Sequence, residues 1–328
     1  MAVCLVCLSC GGKSAMTSIS GYAQGTFYSV KYYDDEGRDL KESIDSLLRV
    51  FDLSASLWVE DSRLNKLNRG EDSLLDAVTA DLLEKSLQVC DYTGGAFDCR
   101  VGKLVNAWGF GAKDGVAPEP ACVDSLLDIC HAAVELHRHA DGTAALWRAD
   151  RRTEIDFNAI AQGYSVDVLA AFLDEKGIHN YIIDIGGEVI AKGRKKGGTP
   201  WVVGIEKPAD DRYDRPQVME AVALENAALV TSGSYRKYYE KDGVRYSHTI
   251  APSTGYPVDH TLLSVTVVDS TAWRADALAT AFMVMGLDSA LRFVDRHDVS
   301  LPLFFIYDNK GCLETRATPS MQKMLDRK

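Results

Sequence analysis

The chain has little of several things, and each shortage removes a class of function. Past its first ten residues no run is long and apolar enough to span a bilayer. Basic residues are outnumbered, 36 against 47 acidic ones for a formal net charge of −11, and no Lys/Arg cluster could track a phosphate backbone. Nucleic acid is therefore not an expected partner. The one basic run, KGRKK at residues 192–196, is short and reads as a solvated hairpin tip. No G-x-S-x-G elbow occurs, which disfavours a Ser-His hydrolase, and Gly12-Lys13-Ser14 lacks the upstream glycine of a phosphate loop. The eight cysteines close no metal pattern. Cys4, Cys7 and Cys10 crowd the start without a fourth Cys-Pro behind them, while Cys90, Cys99, Cys122, Cys130 and Cys312 are scattered as small core residues. No internal repeat is evident.

What is there reads as one folded unit. The 328 residues are 46% apolar and 25% charged, ordinary for a globular chain with a large core. Residues 1–10 form a short apolar segment ending in Leu8-Ser9-Cys10-Gly11-Gly12, which looks like a lipoprotein signal with Cys10 as the lipid-bearing residue. Residues 11–20 follow as a polar linker, and residues 21–320 as a single α+β domain of mixed sheets and helices. Apolar spacing predicts helices over residues 39–51 and 78–92, the second stopped by Gly94-Gly95. Hairpins are expected over residues 144–155, turning at Asp150-Arg151-Arg152, and over residues 181–191, turning at Gly186-Gly187. Between these two, DFNAIAQG at residues 156–163 opens a helix on which Ile160, Tyr164 and Val168 recur every four residues, with an N-terminus that could receive an anion.

Chemistry-bearing residues are densest over residues 231–258, TSGSYRKYYEKDGVRYSHTIAPSTGYPV. Alternation before and after Asp242-Gly243 predicts a hairpin pairing Glu240 with Arg245, Tyr239 with Tyr246, Lys237 with His248 and Tyr235 with Ile250. The turn Pro252-Ser253-Thr254-Gly255 then forces the chain out of the sheet, leaving N–H groups that could face a polyanion. Farther on, STAWRADALATAFMVMG at residues 270–286 predicts a helix capped by Ser270 or Thr271 and ended by Gly286. Asp276 and Thr280 are four apart on it, so their oxygens share one face. A carboxylate on so apolar a helix needs a partner, and a hard cation such as magnesium is one candidate; a structural Asp with Thr280 bonded back to its own helix is the other.

Together these stretches resemble the FAD:protein FMN transferase family, also called the ApbE family, which includes bacterial lipoproteins. The parts arrive in the family's order: GYAQGT, SRLNKLN, GGAFDCRVGKLVNAWGFG, DFNAIAQGYSVD, IDIGGEV, the His248 hairpin and ADALATAFMVMG. The resemblance implies a flavin site between two lobes, with FAD as substrate and magnesium bridging protein oxygens to its pyrophosphate. By motif position Asp276, Thr280 and the main-chain carbonyl of Ala159 take the metal roles, and Trp58 the place of an aromatic beside the isoalloxazine. Gln24, Ala96, Phe97, Asp98, Asp156, Gln162 and Ile250 fall on flavin-contacting positions, and His248 on the histidine that activates the acceptor hydroxyl. The implied partners are acceptor flavoproteins, subunits of membrane redox complexes among them, met at the periplasmic side of the inner membrane through the Cys10 lipid. Many members carry Lys where this chain has Gln162, Asp where it has Ala251, and Met where it has Gln24. The same site with water as acceptor would be an FAD pyrophosphatase, and without turnover an extracytoplasmic FAD carrier.

Overall fold

A computed structural model describes residues 15–111, 117–208, 217–234, 238–241, 244–297 and 299–326. The Cys10 segment, Tyr235, Lys237 and the Asp242-Gly243 turn lie outside the described residues. The described chain opens as a hairpin: β1 (Met16–Ala23) pairs antiparallel with β2 (Thr26–Tyr33) in unbroken register across Gln24-Gly25. Both turn residues have positive φ, 54° and 73°, as a type I′ turn requires. The strand therefore claims residues 16–20, expected to be linker; Ile19 is buried between exposed Ser18 and Ser20, the alternation of a one-faced strand.

The next segment is helical. α1 (Lys41–Ala55) buries Ile44, Leu48, Phe51 and Ala55 on one stripe and runs a turn beyond the predicted end. Within the Ser-rich segment, α2 (Arg63–Arg69) forms because the Ser62 hydroxyl accepts the Asn65 N–H and Gly70 closes the helix in left-handed backbone. After β3 (Leu74–Leu75), α3 (Ala77–Tyr92) starts on a capping box of Asp76 and Thr79. α4 (Gly102–Ala107) and α5 (Pro120–Cys130) share a small core with Trp108 and Ile250. β4 (Val134–Arg138) and β5 (Ala144–Arg148) pair around Gly142, so the hairpin lies one strand earlier than expected; Asp150 instead closes a separate turn onto Arg152. Strand pairing won there because Val134 and Leu136 alternate inward opposite Arg148 and Leu146.

α6 (Ala161–Glu175) begins only after the DFNAI segment, and its core stripe is Val166, Leu169, Ala170 and Leu173, one step round from the predicted Tyr164 and Val168. β6 (Tyr181–Ile185) and β7 (Glu188–Lys192) turn at Gly186-Gly187 as expected. β8 (Trp201–Glu206) and β9 (Val218–Leu224) form a separate two-stranded sheet. β10 (Ala227–Gly233) leads to β11 (Tyr238–Lys241) and β12 (Val244–Ser247), whose register matches Tyr239 with Tyr246 and Glu240 with Arg245 as predicted. The chain ends through β13 (Leu262–Asp269), α7 (Ala272–Met285), α8 (Leu287–His297), β14 (Leu303–Asn309), β15 (Cys312–Ala317) and α9 (Pro319–Leu325).

The main sheet is antiparallel throughout, in the order β1-β2-β6-β7-β10-β13-β14-β15. Successive residues face opposite ways: Val230 packs in the core that holds α6 and α7, while Leu229 packs with Trp201, Val222 and Met321 of β8, β9 and α9. The result is a three-layer α+β fold. Of the scattered cysteines Cys90, Cys99 and Cys130 are buried as expected, whereas Cys122 and Cys312 are exposed. Among the described residues no helix is long and apolar enough to cross a membrane.

Candidate active site

One cavity of about 1470 Å³ opens where the β1–β2 turn, α1, the loop after α3, the DFNAI segment, β8, β10, the segment after β12 and α7 converge. All twelve residues singled out above line it: Gln24, Trp58, Ala96, Phe97, Asp98, Asp156, Ala159, Gln162, His248, Ile250, Asp276 and Thr280. They come from motifs far apart in sequence, so the convergence is a product of the fold.

α7 supplies the deepest polar groups. Asp276 is 5% exposed, and its Oδ2 accepts the N–H of Gly163 at 3.0 Å. The anion at the start of α6 is thus the protein's own carboxylate. Burial raises the Asp276 carboxyl well above the usual range, with the charge of Asp167 adding to the shift. Among the described residues no lysine or arginine is paired with it. One turn along, the Thr280 hydroxyl meets the Ser232 hydroxyl at 3.2 Å. Ser270 and Thr271 do not cap α7; Asp167 of α6 does, taking the N–H groups of Ala272 and Trp273 at 3.0 and 2.8 Å. The helices touch closely here, since a Cβ on Gly163 would lie 2.4 Å from the Ala272 carbonyl oxygen.

The cavity is acidic. Among the described residues, Asp52, Asp98, Asp156, Asp184, Glu188, Glu206 and Asp276 line it against a single lysine, Lys31. Asp98 is held by Arg100, whose Nε and Nη2 donate to it at 2.8 and 2.7 Å. Burial raises the carboxyls of Asp52, Asp156 and Asp184. Asp156 keeps an N–H donor from Asn158 at 2.7 Å, and Asp184 one from Gly187 at 3.0 Å. An anionic diphosphate entering such a cavity needs a cation beside it. The donor set around Asp276 fits a hard divalent ion: one carboxylate, the Thr280 hydroxyl and the residue 159 segment border the same space. A site built of three or more His, Cys, Asp or Glu side chains is absent among the described residues.

The residues that the family resemblance assigns to the flavin divide into a deep and an outer group. Phe97 and Ile250 are buried, while Trp58 stands 64% exposed at the mouth. Gln24 is locked by the I′ turn; its Oε1 accepts from Ser165, and its buried Nε2 has no protein acceptor among the described residues. A ligand carbonyl would satisfy that amide, which fits a flavin ring edge. Gln162 spends its amide on the Ile185 carbonyl at 3.1 Å, bracing the Gly186 turn. His248 directly follows β12, half-buried, with the Phe110 ring edge-on at 6.3 Å between centroids. The backbone beyond it is pinned, Thr249 N–H donating to Ser247 and Val258 N–H to the Thr249 carbonyl.

The turn at Pro252 departs from expectation. Thr254 and Gly255 N–H groups donate to the Ala251 carbonyl, so they do not face a ligand. Gly255 packs against Leu104, Val123 and Leu127, its carbonyl takes the Trp108 indole N–H at 2.7 Å, and a His131 ring nitrogen lies 2.9 Å from the Pro252 carbonyl oxygen. The turn is an anchor that fixes the segment carrying His248 and Ile250. Asp52 and Lys31 also line the cavity and were not legible as site residues, since each sits in an ordinary helix or strand pattern, while Asp184 lay within IDIGGEV without a separate signal. Ser232 lay within the motif of residues 231–258 but carried no separate signal.

Comparison with known proteins agrees with this assembly. The ApbE family model matches residues 24–305. An FAD:protein FMN transferase of Vibrio cholerae serotype O1 is 33% identical over 100% of this chain and 98% of its own length. One from Escherichia coli K12 is 32% identical over 94% of this chain and 89% of its own. Among solved structures, the flavin transferase ApbE of Vibrio cholerae superposes with a TM-score of 0.81 at 32% identity, covering 95% of this chain and all of that one. The apo flavinyl transferase ApbE of Pseudomonas stutzeri gives 0.82 at 29% identity, covering 95% and 97%. A family model spanning most of the chain, relatives above 30% identity along nearly its whole length, and a shared fold leave one conclusion: the chain belongs to the ApbE family.

Proposed function

We propose that the protein transfers the FMN moiety of FAD onto a Thr or Ser hydroxyl of an acceptor protein, in a magnesium-dependent reaction that releases AMP. The single observation that carries this reading is the gathering of all twelve motif residues around one acidic cavity. The acceptor oxygen forms a bond to the FMN-side phosphorus of FAD while the bond from that phosphorus to the bridging oxygen breaks, leaving AMP. The hydroxyl proton goes to the His248 imidazole, which acts as general base. Asp276, Thr280 and the Ala159 carbonyl would hold magnesium, and when bound it offsets charge on the phosphoryl oxygens. Trp58, Phe97 and Ile250 hold the ring system, and the Gln24 amide donates to it. The remaining contribution is orientation in a cavity whose walls are fixed by the packed α6–α7 pair.

The acceptors on this reading are flavoprotein subunits of membrane redox complexes, and Cys10 carries the lipid that holds the enzyme on the periplasmic face of the inner membrane. Incubation with FAD, magnesium and an acceptor domain, followed by intact-mass measurement and AMP detection, tests the reaction. A mass gain of one FMN with equimolar AMP supports it. Free FMN and AMP with no mass gain would assign the cavity to FAD hydrolysis by water.

A further inference from the structure

α6 and α7 cap each other. Asp276 of α7 takes the Gly163 N–H in the first turn of α6, and Asp167 of α6 takes the N–H groups of Ala272 and Trp273, the first two residues of α7. Groups that have no partner within their own helix are thus satisfied in both directions across one crossing. Thr271, at the N-cap of α7, contributes no side-chain bond, so the work falls to Asp167 alone. The helices meet backbone to backbone at Gly163, where neither can slide without breaking one of these caps.

Asp167 lines a different cleft from the one holding His248 and Thr280. Its neighbours there are Asp81, Lys85, Tyr164, Ser270 and Trp273. Tyr164 and Lys85 are both engaged with Asp81, at 2.6 and 2.7 Å, and the Lys85 ammonium lies over the Trp273 ring at 5.1 Å. No residue of the proposed chemistry is hydrogen-bonded to Asp167. What it grips is the turn of α7 that precedes Asp276, and an α-helix is stiff over one or two turns. We propose that Asp167 is a positioning residue for the metal pair, setting the axial placement of α7 so that Asp276 and Thr280 present their oxygens at the depth of residue 159. This rests on the magnesium reading above. The demand is stringent, because magnesium requires near-octahedral geometry at roughly 2.0–2.1 Å and tolerates little displacement of a ligand.

The test uses the full chain with FAD present and manganese as the probe, its binding followed by electron paramagnetic resonance, alongside amide exchange of the peptide covering the start of α7. Asp167→Ala should weaken manganese binding about tenfold or more and speed exchange at Ala272 and Trp273. Asp167→Asn keeps one acceptor oxygen and should fall between it and wild type. FAD affinity without metal should stay near wild type in both. Wild-type manganese affinity in Asp167→Asn and Asp167→Ala overturns the proposal. If Asp167→Ala does not fold, wild-type affinity in Asp167→Asn alone overturns it, as does equal loss of FAD affinity, manganese affinity and melting temperature. Asp276→Ala separates the two readings: unchanged manganese binding there removes the metal site itself, whereas loss there with none at Asp167 removes only the positioning role.

Discussion

Replacing Gly163 by alanine perturbs the site without replacing any proposed ligand. A Cβ there would sit 2.4 Å from the Ala272 carbonyl oxygen, 2.7 Å from its carbonyl carbon and 2.8 Å from the Asp276 Cβ. Ordinary contact needs about 3.4 Å or more, so α6 and α7 must separate by about 1 Å. Two stability effects oppose each other. Alanine in a helix gains about 1 kcal/mol over glycine, while forcing a methyl into a packed contact costs about 1–3 kcal/mol. Here the obstacle is helix backbone rather than a side chain that can swing away, so the upper part of that range applies and the net loss is about 1–2 kcal/mol. For function the displacement matters more. A 1 Å shift is roughly five times the ~0.2 Å latitude of a metal–ligand distance, and it also stretches the Gly163 bond that orients the Asp276 carboxylate. We expect a melting temperature lowered by a few degrees and a magnesium half-saturation of FMN transfer raised at least tenfold. Saturating magnesium should restore part of the rate. A Gly163→Ala enzyme with wild-type half-saturation would refute the argument that this crossing sets the metal geometry.

Four further outcomes are expected. Asp276→Ala should raise the magnesium half-saturation more than Thr280→Ala, since it removes a charged rather than a neutral ligand; equal and small effects in a magnesium titration would make the pair structural. His248→Ala should lower the transfer rate about 10²–10⁴-fold, with flavin affinity by fluorescence and melting temperature near wild type; joint loss of all three would mark a packing histidine. Asp34, whose carboxyl is held down to about 2 chiefly by hydrogen bonds from Arg38, contributes stability that is full above the unfolded carboxylate pKa near 4 and is lost as pH falls through about 2; Asp34→Asn should therefore cost about 1 kcal/mol at pH 7 and only a small part of that at pH 2, read from melting temperature against pH. Cys10→Ala should abolish incorporation of a fatty-acid analogue seen in the wild type, and identical labelling of both would remove the anchor.

The sequence showed the pieces better than their joining. Period and turn chemistry were enough for the β6–β7 hairpin at Gly186-Gly187 and for the pairing of Tyr239 with Tyr246, because those signals are local. The edge strand over residues 16–20 was missed because a half-exposed strand of serines looks like a linker until its partner β2 is known. The core stripe of α6 was placed one step off because only the packing against α7 decides which face is buried. The twelve cavity-lining residues were legible through the order of motifs. Asp167 was not: its role lies in a bond to another helix about a hundred residues on, and no spacing within one segment reports that. The Pro252 turn was misjudged for a related reason, since its N–H groups close on Ala251 and its glycine is covered by α4 and α5.

The order of strands in the main sheet bears on how the protein is made. β2 pairs with β6 and β7 with β10, so nearly every element between residues 34 and 180 must be looped out before the sheet can extend past its first hairpin. Such non-local pairing pays its chain-closure entropy early and is slow to form. The cavity completes later still, because its first wall is the Gln24 turn and its last is α7. A ribosome-bound chain that ends before α7 would carry the β1–β2 hairpin and the His248 segment yet have no α6–α7 crossing, and hence no place for the magnesium and diphosphate of the proposed reaction. Competence to bind FAD should therefore appear abruptly during synthesis, when residues up to about Met285 have emerged, and not in proportion to chain length.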